Sequence, residues 1–86
     1  MTYAVIWRMA ASAEVGRVEA AAADRDRVRQ AAARIDFMLR RYARGMGESR
    51  DPGCRLWYED VLGVYYRIDE EQLRVEILYA GPARRR

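Results

Sequence analysis

In YYRIDEEQLRVEI, residues 65–77, two short runs of alternating apolar and polar side chains flank the acidic segment DEEQ. β-Branched and aromatic residues suit a pleated, half-buried strand, and a join this short allows only a hairpin. Alternation places Val64, Tyr66 and Ile68 on one face, with Val75 and Ile77 on the same face across the turn. Pairing Ile68 with Leu73 sets Val75 opposite Tyr66 and Ile77 opposite Val64. The same register sets Arg67 opposite Arg74 and Tyr65 opposite Glu76 on the other face.

The preceding segment, CRLWYE at 54–59, reads as a third strand joined through DVL. A three-residue join puts Leu56 and Tyr58 on the apolar face, Arg55 opposite Arg67, and Trp57 opposite Tyr65. The uncovered face is then expected to carry a row Arg55–Arg67–Arg74 beside a row Trp57–Tyr65–Glu76. With strands ~4.8 Å apart, the three guanidinium groups fall within about 10 Å. Two readings of that face stand together. One is a solvated surface with Glu59 and Glu76 as local counter-charges. The other is an anion site with aromatic platforms, since arginine grips phosphate and aromatics stack bases. Arg50, ahead of the Pro52–Gly53 turn, is a further candidate phosphate contact.

Upstream, YAVIWR at 3–8 has strand composition. Ser12 offers an N-cap for a first helix with Val15, Val18 and Ala22 on its inner side. Asp24 or Asp26 caps a second helix, expected over roughly 26–44. Its apolar positions Val28, Ala31, Ala32, Ile35, Met38, Leu39 and Tyr42 follow the i, i+3, i+4, i+7 pattern. Arg27, Arg34, Arg41 and Arg44 fall on its outer side, and Gly45 supplies a left-handed residue to end it. Strand, two helices and a three-stranded antiparallel meander (about 54–59, 63–68 and 73–79) make an α+β domain over residues 1–86, with the helices on one sheet face. Trp7 is expected in the core.

Composition narrows the chemistry. The chain has 86 residues, an apolar fraction of 51% and a net charge of +3, enough for one modest core and compatible with an anionic partner. All sixteen basic side chains are arginine, each a planar fork suited to phosphate or carboxylate. There is no histidine and only one cysteine, Cys54, which argues against a zinc site, an internal disulfide or a histidine acid/base. No metal or cofactor is expected. No run approaches the ~20 apolar residues of a membrane span, and nothing at the start resembles a signal peptide, so a cytoplasmic protein is expected. GMGES at 45–49 follows a helix and precedes a strand, which suits a capping turn and not a phosphate loop.

The element order, the YRID at 66–69 before an acidic turn, and the strand LRVEILYAG followed by basic residues resemble the RelE/ParE superfamily of type II toxins. The resemblance implies a toxin neutralised by a cognate antitoxin protein. It would act as a metal-independent endoribonuclease on mRNA at the ribosome, or as an inhibitor of DNA gyrase, or be an inactive relative that only binds proteins. On the ribonuclease branch the resemblance implies catalytic residues at Arg55, Arg67 and Arg84, which correspond in place and type, with Tyr79 as a candidate proton donor. Arg50, Trp57, Tyr65 and Arg74 would contact the nucleic acid. The chain departs from RelE in having Gly63 where RelE has an arginine, and it lacks the paired lysines. Arginine does not act as a general base at neutral pH, which leaves Glu59, Glu76 and the tyrosines.

Overall fold

A computed structural model describes residues 2–83. The elements run β1 (Ala4–Trp7), α1 (Met9–Ala21), α2 (Arg25–Tyr42), a 3-10 turn (Ala43–Gly45), β2 (Glu48–Ser49), β3 (Cys54–Glu59), β4 (Leu62–Asp69) and β5 (Arg74–Pro82). The strands form one five-stranded sheet in the order β1-β5-β4-β3-β2, with β1 parallel to β5 and the other pairs antiparallel. β3, β4 and β5 are the expected meander. The two-residue edge strand β2 has too little sequence to announce itself.

α2 forms where its pattern predicts. Asp24 is the N-cap, and its carboxylate accepts a hydrogen bond from the Arg27 N–H at 3.1 Å. Val28, Ala31, Ile35 and Leu39 are buried against Leu62, Val64, Tyr66, Val75 and Ile77 of the sheet. α1 adds Ala11 to this core, with Val15, Val18 and Ala22 partly buried beside it. Trp7 packs against the core and donates its indole N–H to Asp36 Oδ1 at 3.1 Å. No helix of the described residues is long and apolar enough to cross a membrane.

Several local expectations are corrected. α1 begins at Met9 and not after Ser12, with Arg8 as an N-cap that makes no side-chain capping bond. The positive-φ glycine after α2 is Gly47 (φ 65°) and not Gly45, because the chain first makes a 3-10 turn. Tyr42, the last residue of α2, is 54% exposed and lies outside the buried stripe, which runs from Leu39 to Ala43 four residues on.

Register is the larger correction. The β3–β4 join is a two-residue turn, Asp60–Val61, with Glu59 opposite Leu62 and Asp60 at φ 52°. Aspartate tolerates this left-handed geometry, and it is what a tight hairpin demands. Compared with a three-residue join, β3 slips by one residue and all its side chains exchange faces. Arg55 therefore pairs with Tyr66, and Trp57 with Val64, on the helix-covered side. Cys54, Leu56 and Tyr58 share the open side with Arg67, Tyr65 and Gly63. Between β4 and β5 the expected faces hold, but pairing is shifted by two: Ile68 faces Val75, Arg67 faces Glu76, and Asp69 faces Arg74.

Candidate functional site

The open sheet face gathers side chains from three strands and from the residue that follows a fourth. Tyr58 comes from β3, Tyr65 and Arg67 from β4, Glu76 and Tyr79 from β5, and Arg8 from the residue after β1. Tyr79 reaches this face through a β-bulge. Tyr66 pairs with Ile77 and Tyr65 with Tyr79, which leaves Leu78 as the extra residue. In an unbroken ladder Tyr65 would face Leu78, and Tyr79 would turn toward the helices. Instead Tyr79 is 64% exposed, and its ring stacks on Tyr65 with centroids 6.4 Å apart and planes 30° apart.

Beyond this pair the floor of the sheet is bare. Gly63 and Gly81 sit directly opposite one another. Tyr58, 56% exposed, lies over Gly63 so closely that a Cβ there would meet its ring at 2.8 Å. Leu56, Tyr58, Tyr65, Tyr79 and Pro82 border a shallow hollow of about 190 Å³ over these glycines.

The charges at this face are paired. Arg67 Nη2 donates to Glu76 Oε1 at 2.6 Å, and Arg8 Nη1 donates to Glu76 Oε2 at 3.0 Å. Hydrogen bonding from Arg67, opposed by desolvation and reinforced by Arg8, holds the Glu76 carboxyl below its ordinary value. Arg74 lies 3.9 Å from Asp69, and its Nε is buried with no hydrogen-bond partner among the described residues. The Tyr65 hydroxyl donates to Asp51 Oδ2 at 2.6 Å, and this bond, with Cys54 beside it, raises the Tyr65 pKa. Tyr65 is thereby unsuited to serve as a phenolate base.

The expected site residues divide accordingly. Arg67, Tyr65, Tyr79 and Arg74 are on the open face. Arg55 and Trp57 are not, because of the one-residue slip of β3. The Arg55 guanidinium instead donates to the backbone carbonyls of Met46 at 2.6 Å and Gly47 at 3.0 Å, closing the end of the α2 turn. Trp57 packs on the core. Arg50 is exposed on the β2–β3 loop, 3.7 Å from Glu48. Arg84 lies outside the described residues. Of the remaining candidate bases, Glu59 binds Arg34 of α2 at 2.8 Å, and Glu76 is held by two arginines. Arg8 was missed. Its only sequence signal is its place directly after an apolar strand, which does not reveal that β1 runs beside β5.

Three solved structures share this arrangement of elements. The toxin–antitoxin complex RelBE2 from Mycobacterium tuberculosis superposes with a TM-score of 0.72 at 21% identity, over 96% of this chain and 93% of that one. A chromosomal ParDE TA system from P. aeruginosa gives 0.74 at 16% identity, over 96% and 98%. The chain has the RelE/ParE fold. The isolated RelE toxin of E. coli superposes less closely, at 0.62 and 16% identity, over 98% of this chain and 87% of that one. No protein-family model and no curated protein matches the sequence. In this RelE/ParE-fold chain the open face thus offers stacked tyrosines and paired arginines, without a continuous cationic row.

Proposed function

We propose that this chain is the toxin of a type II toxin–antitoxin pair, a RelE/ParE-like domain over residues 1–86, acting in the cytoplasm and held inactive by a cognate antitoxin. The observation that carries this is the shared fold across nearly the whole chain with structures of toxin–antitoxin systems. The open face is its target surface, and the target it suits best is single-stranded RNA presented by the ribosome. Tyr58, Tyr65 and Tyr79 offer rings for base stacking, and Arg67 supplies charge for a phosphate.

The reaction on that reading is attack of a ribose 2′-oxygen on the adjacent phosphorus, with the 2′-hydroxyl proton passing to solvent water. The P–O5′ bond breaks and leaves a 2′,3′-cyclic phosphate and a 5′-hydroxyl. Arg67 would stabilise charge on the phosphoryl oxygens, and the exposed Tyr79 hydroxyl would give a proton to the departing 5′-oxygen. Cleavage of mRNA in a reconstituted ribosome system tests this. Wild type is expected to cut between codon positions, and Arg67→Ala and Tyr79→Phe to lose about 100-fold or more, the usual scale for removing one charge-stabilising or proton-transferring group.

A second reading, inhibition of DNA gyrase, is compatible with the same face. The open-face arginines Arg8, Arg67 and Arg74 each face a carboxylate, which suits protein docking as well as catalysis. Intact mRNA together with blocked gyrase supercoiling would select it.

A further inference from the structure

Arg8, Glu76 and Arg67 come from the end of β1, from β5 and from β4, and they meet near the middle of the open face. Glu76 lies lowest, its side chain 16% exposed, while those of Arg8 and Arg67 are 52% and 49% exposed. Each guanidinium spends one N–H on a different carboxylate oxygen and keeps others directed away from that bond. The carboxylate therefore occupies the point where two forks from non-adjacent strands converge. A phosphodiester presents two anionic oxygens in the same way and is matched by the same forks. α1 begins at the next residue, with no side-chain cap and no acidic residue in its first turn. Its N-terminal partial positive charge adds to that of Arg8.

We propose that Arg8 and Arg67 form a phosphate seat for single-stranded nucleic acid, and that Glu76 fills this seat in the free protein as an internal competitor. This rests on the reading of the open face as a surface for RNA. Glu76 then has a specificity role. It neutralises one of the two charges, so a lone anion gains little, whereas a strand that also stacks on Tyr65 and Tyr79 can displace the carboxylate. The device explains why a face reading as cationic in sequence is charge-paired in the fold. Gyrase-directed docking would not need Arg8 and Arg67 to be released from Glu76.

Binding of a fluorescently labelled ten-nucleotide single-stranded RNA, measured by anisotropy across a salt series, tests this. Glu76→Gln keeps the side-chain shape and frees one net positive charge. It is expected to bind about fivefold more tightly, the scale of one solvent-screened charge pair. Its plot of log affinity against log salt should steepen by about 0.7, one further phosphate neutralised. Arg8→Gln leaves the Arg67–Glu76 pair in place and is expected to weaken binding by a similar factor. Circular dichroism confirms that each variant is folded.

Unchanged or weaker RNA binding by a folded Glu76→Gln, with wild type still binding RNA, overturns the masking and leaves the proposed function standing. Titration with inorganic phosphate, read on the arginine Nε–H NMR signals, separates the opposite case. If only Glu76→Gln responds to phosphate and no form binds RNA, Glu76 still masks an anion seat, but its assignment to single-stranded nucleic acid falls together with the RNA reading. Silence in both measurements removes both.

Discussion

Two side chains that a sequence reading would assign by type alone turn out to hold one corner of the fold. The Tyr66 ring is fully buried in the centre of the sheet, yet its hydroxyl reaches past the core to the carbonyls of Ala43 at 2.8 Å and Met46 at 3.0 Å. Arg55 meets the same Met46 carbonyl from the neighbouring strand. Helix ends leave carbonyls without intrahelical partners, and these two residues satisfy them. Arg55→Met is therefore expected to act on stability, costing about 1.5–3 kcal/mol in urea unfolding, the range for hydrogen bonds involving a charged group. Its effect on target binding should be no larger than that loss of folded protein explains. Tyr66→Phe is expected to cost about 1–2 kcal/mol at neutral pH. Burial, opposed by the nearby Arg55 charge, pushes the Tyr66 pKa up from 10.0 to about 12. An acid whose folded pKa is raised contributes stability below its unfolded value and loses it as pH climbs. The wild-type advantage over Tyr66→Phe should then shrink from pH 10 toward pH 12, and a gap that stays constant would contradict this. Glu76 runs the other way. Its folded pKa is depressed below 4.5, so its contribution is present above that value and is lost as pH falls through the lower folded pKa. Glu76→Gln should flatten the acid limb of the stability curve in that window.

At the level of elements, what the sequence reveals depends on whether the signal is a period or a turn. The α2 stripe is legible because four turns repeat it, and the structure buries Val28, Ala31, Ile35 and Leu39 as that repeat requires. The apolar face of β4 and β5 is legible for the same reason, and it survives a two-residue shift because parity does. The faces of β3 are not legible, because Cys54–Glu59 is apolar or amphipathic on both sides and only the turn length decides. DVL reads equally well as a three-residue loop or as a two-residue turn followed by a core leucine. The structure chooses the latter, with Leu62 fully buried. The Leu78 bulge is invisible for a related reason: nothing local marks it, yet it determines that Tyr79 belongs to the candidate site. Pairing that was expected to oppose like charges instead matches Arg67 with Glu76 and Arg74 with Asp69, the arrangement cross-strand electrostatics favours. Glycines show the same division between local and long-range information. Gly47 combines φ 65° with backbone contact to Leu56, so Gly47→Ala has both a strained dihedral and a clash with a main-chain carbonyl. A Cβ at Gly63 would have the exposed Tyr58 ring as its nearest neighbour, and that ring can swing aside. Thermal melts are expected to show Gly47→Ala losing about 2 kcal/mol or more, and Gly63→Ala about 1 kcal/mol or less. Equal losses would mean that Tyr58 is held more firmly than its exposure suggests.

For the molecule as a whole, the sheet separates two tasks onto two faces. One face is covered by α1 and α2 and holds the core residues, while the other carries Tyr58, Tyr65, Arg67, Glu76 and Tyr79. A chain of 86 residues has a small core, so its stability rests on few side chains. Leu39 and Ile35 are fully buried between helix and sheet, and truncation leaves a cavity that the surrounding backbone only partly closes. Leu39→Ala should cost about 2–5 kcal/mol, a large share of the roughly 5–15 kcal/mol typical of small domains. Tyr79→Ala removes an exposed ring and its stack on Tyr65, a change of about 1 kcal/mol or less. Activity should order these variants oppositely. Tyr79→Ala is expected to abolish target cleavage or inhibition while the protein remains folded, and Leu39→Ala to lose activity only as far as its folded population falls. Parallel urea titrations and activity assays on the same preparations test this division. If Leu39→Ala lost activity at a temperature where it was fully folded, the core would be tuning the open face. The two faces would then be coupled through the β4–β5 ladder, whose strands each contribute residues to both.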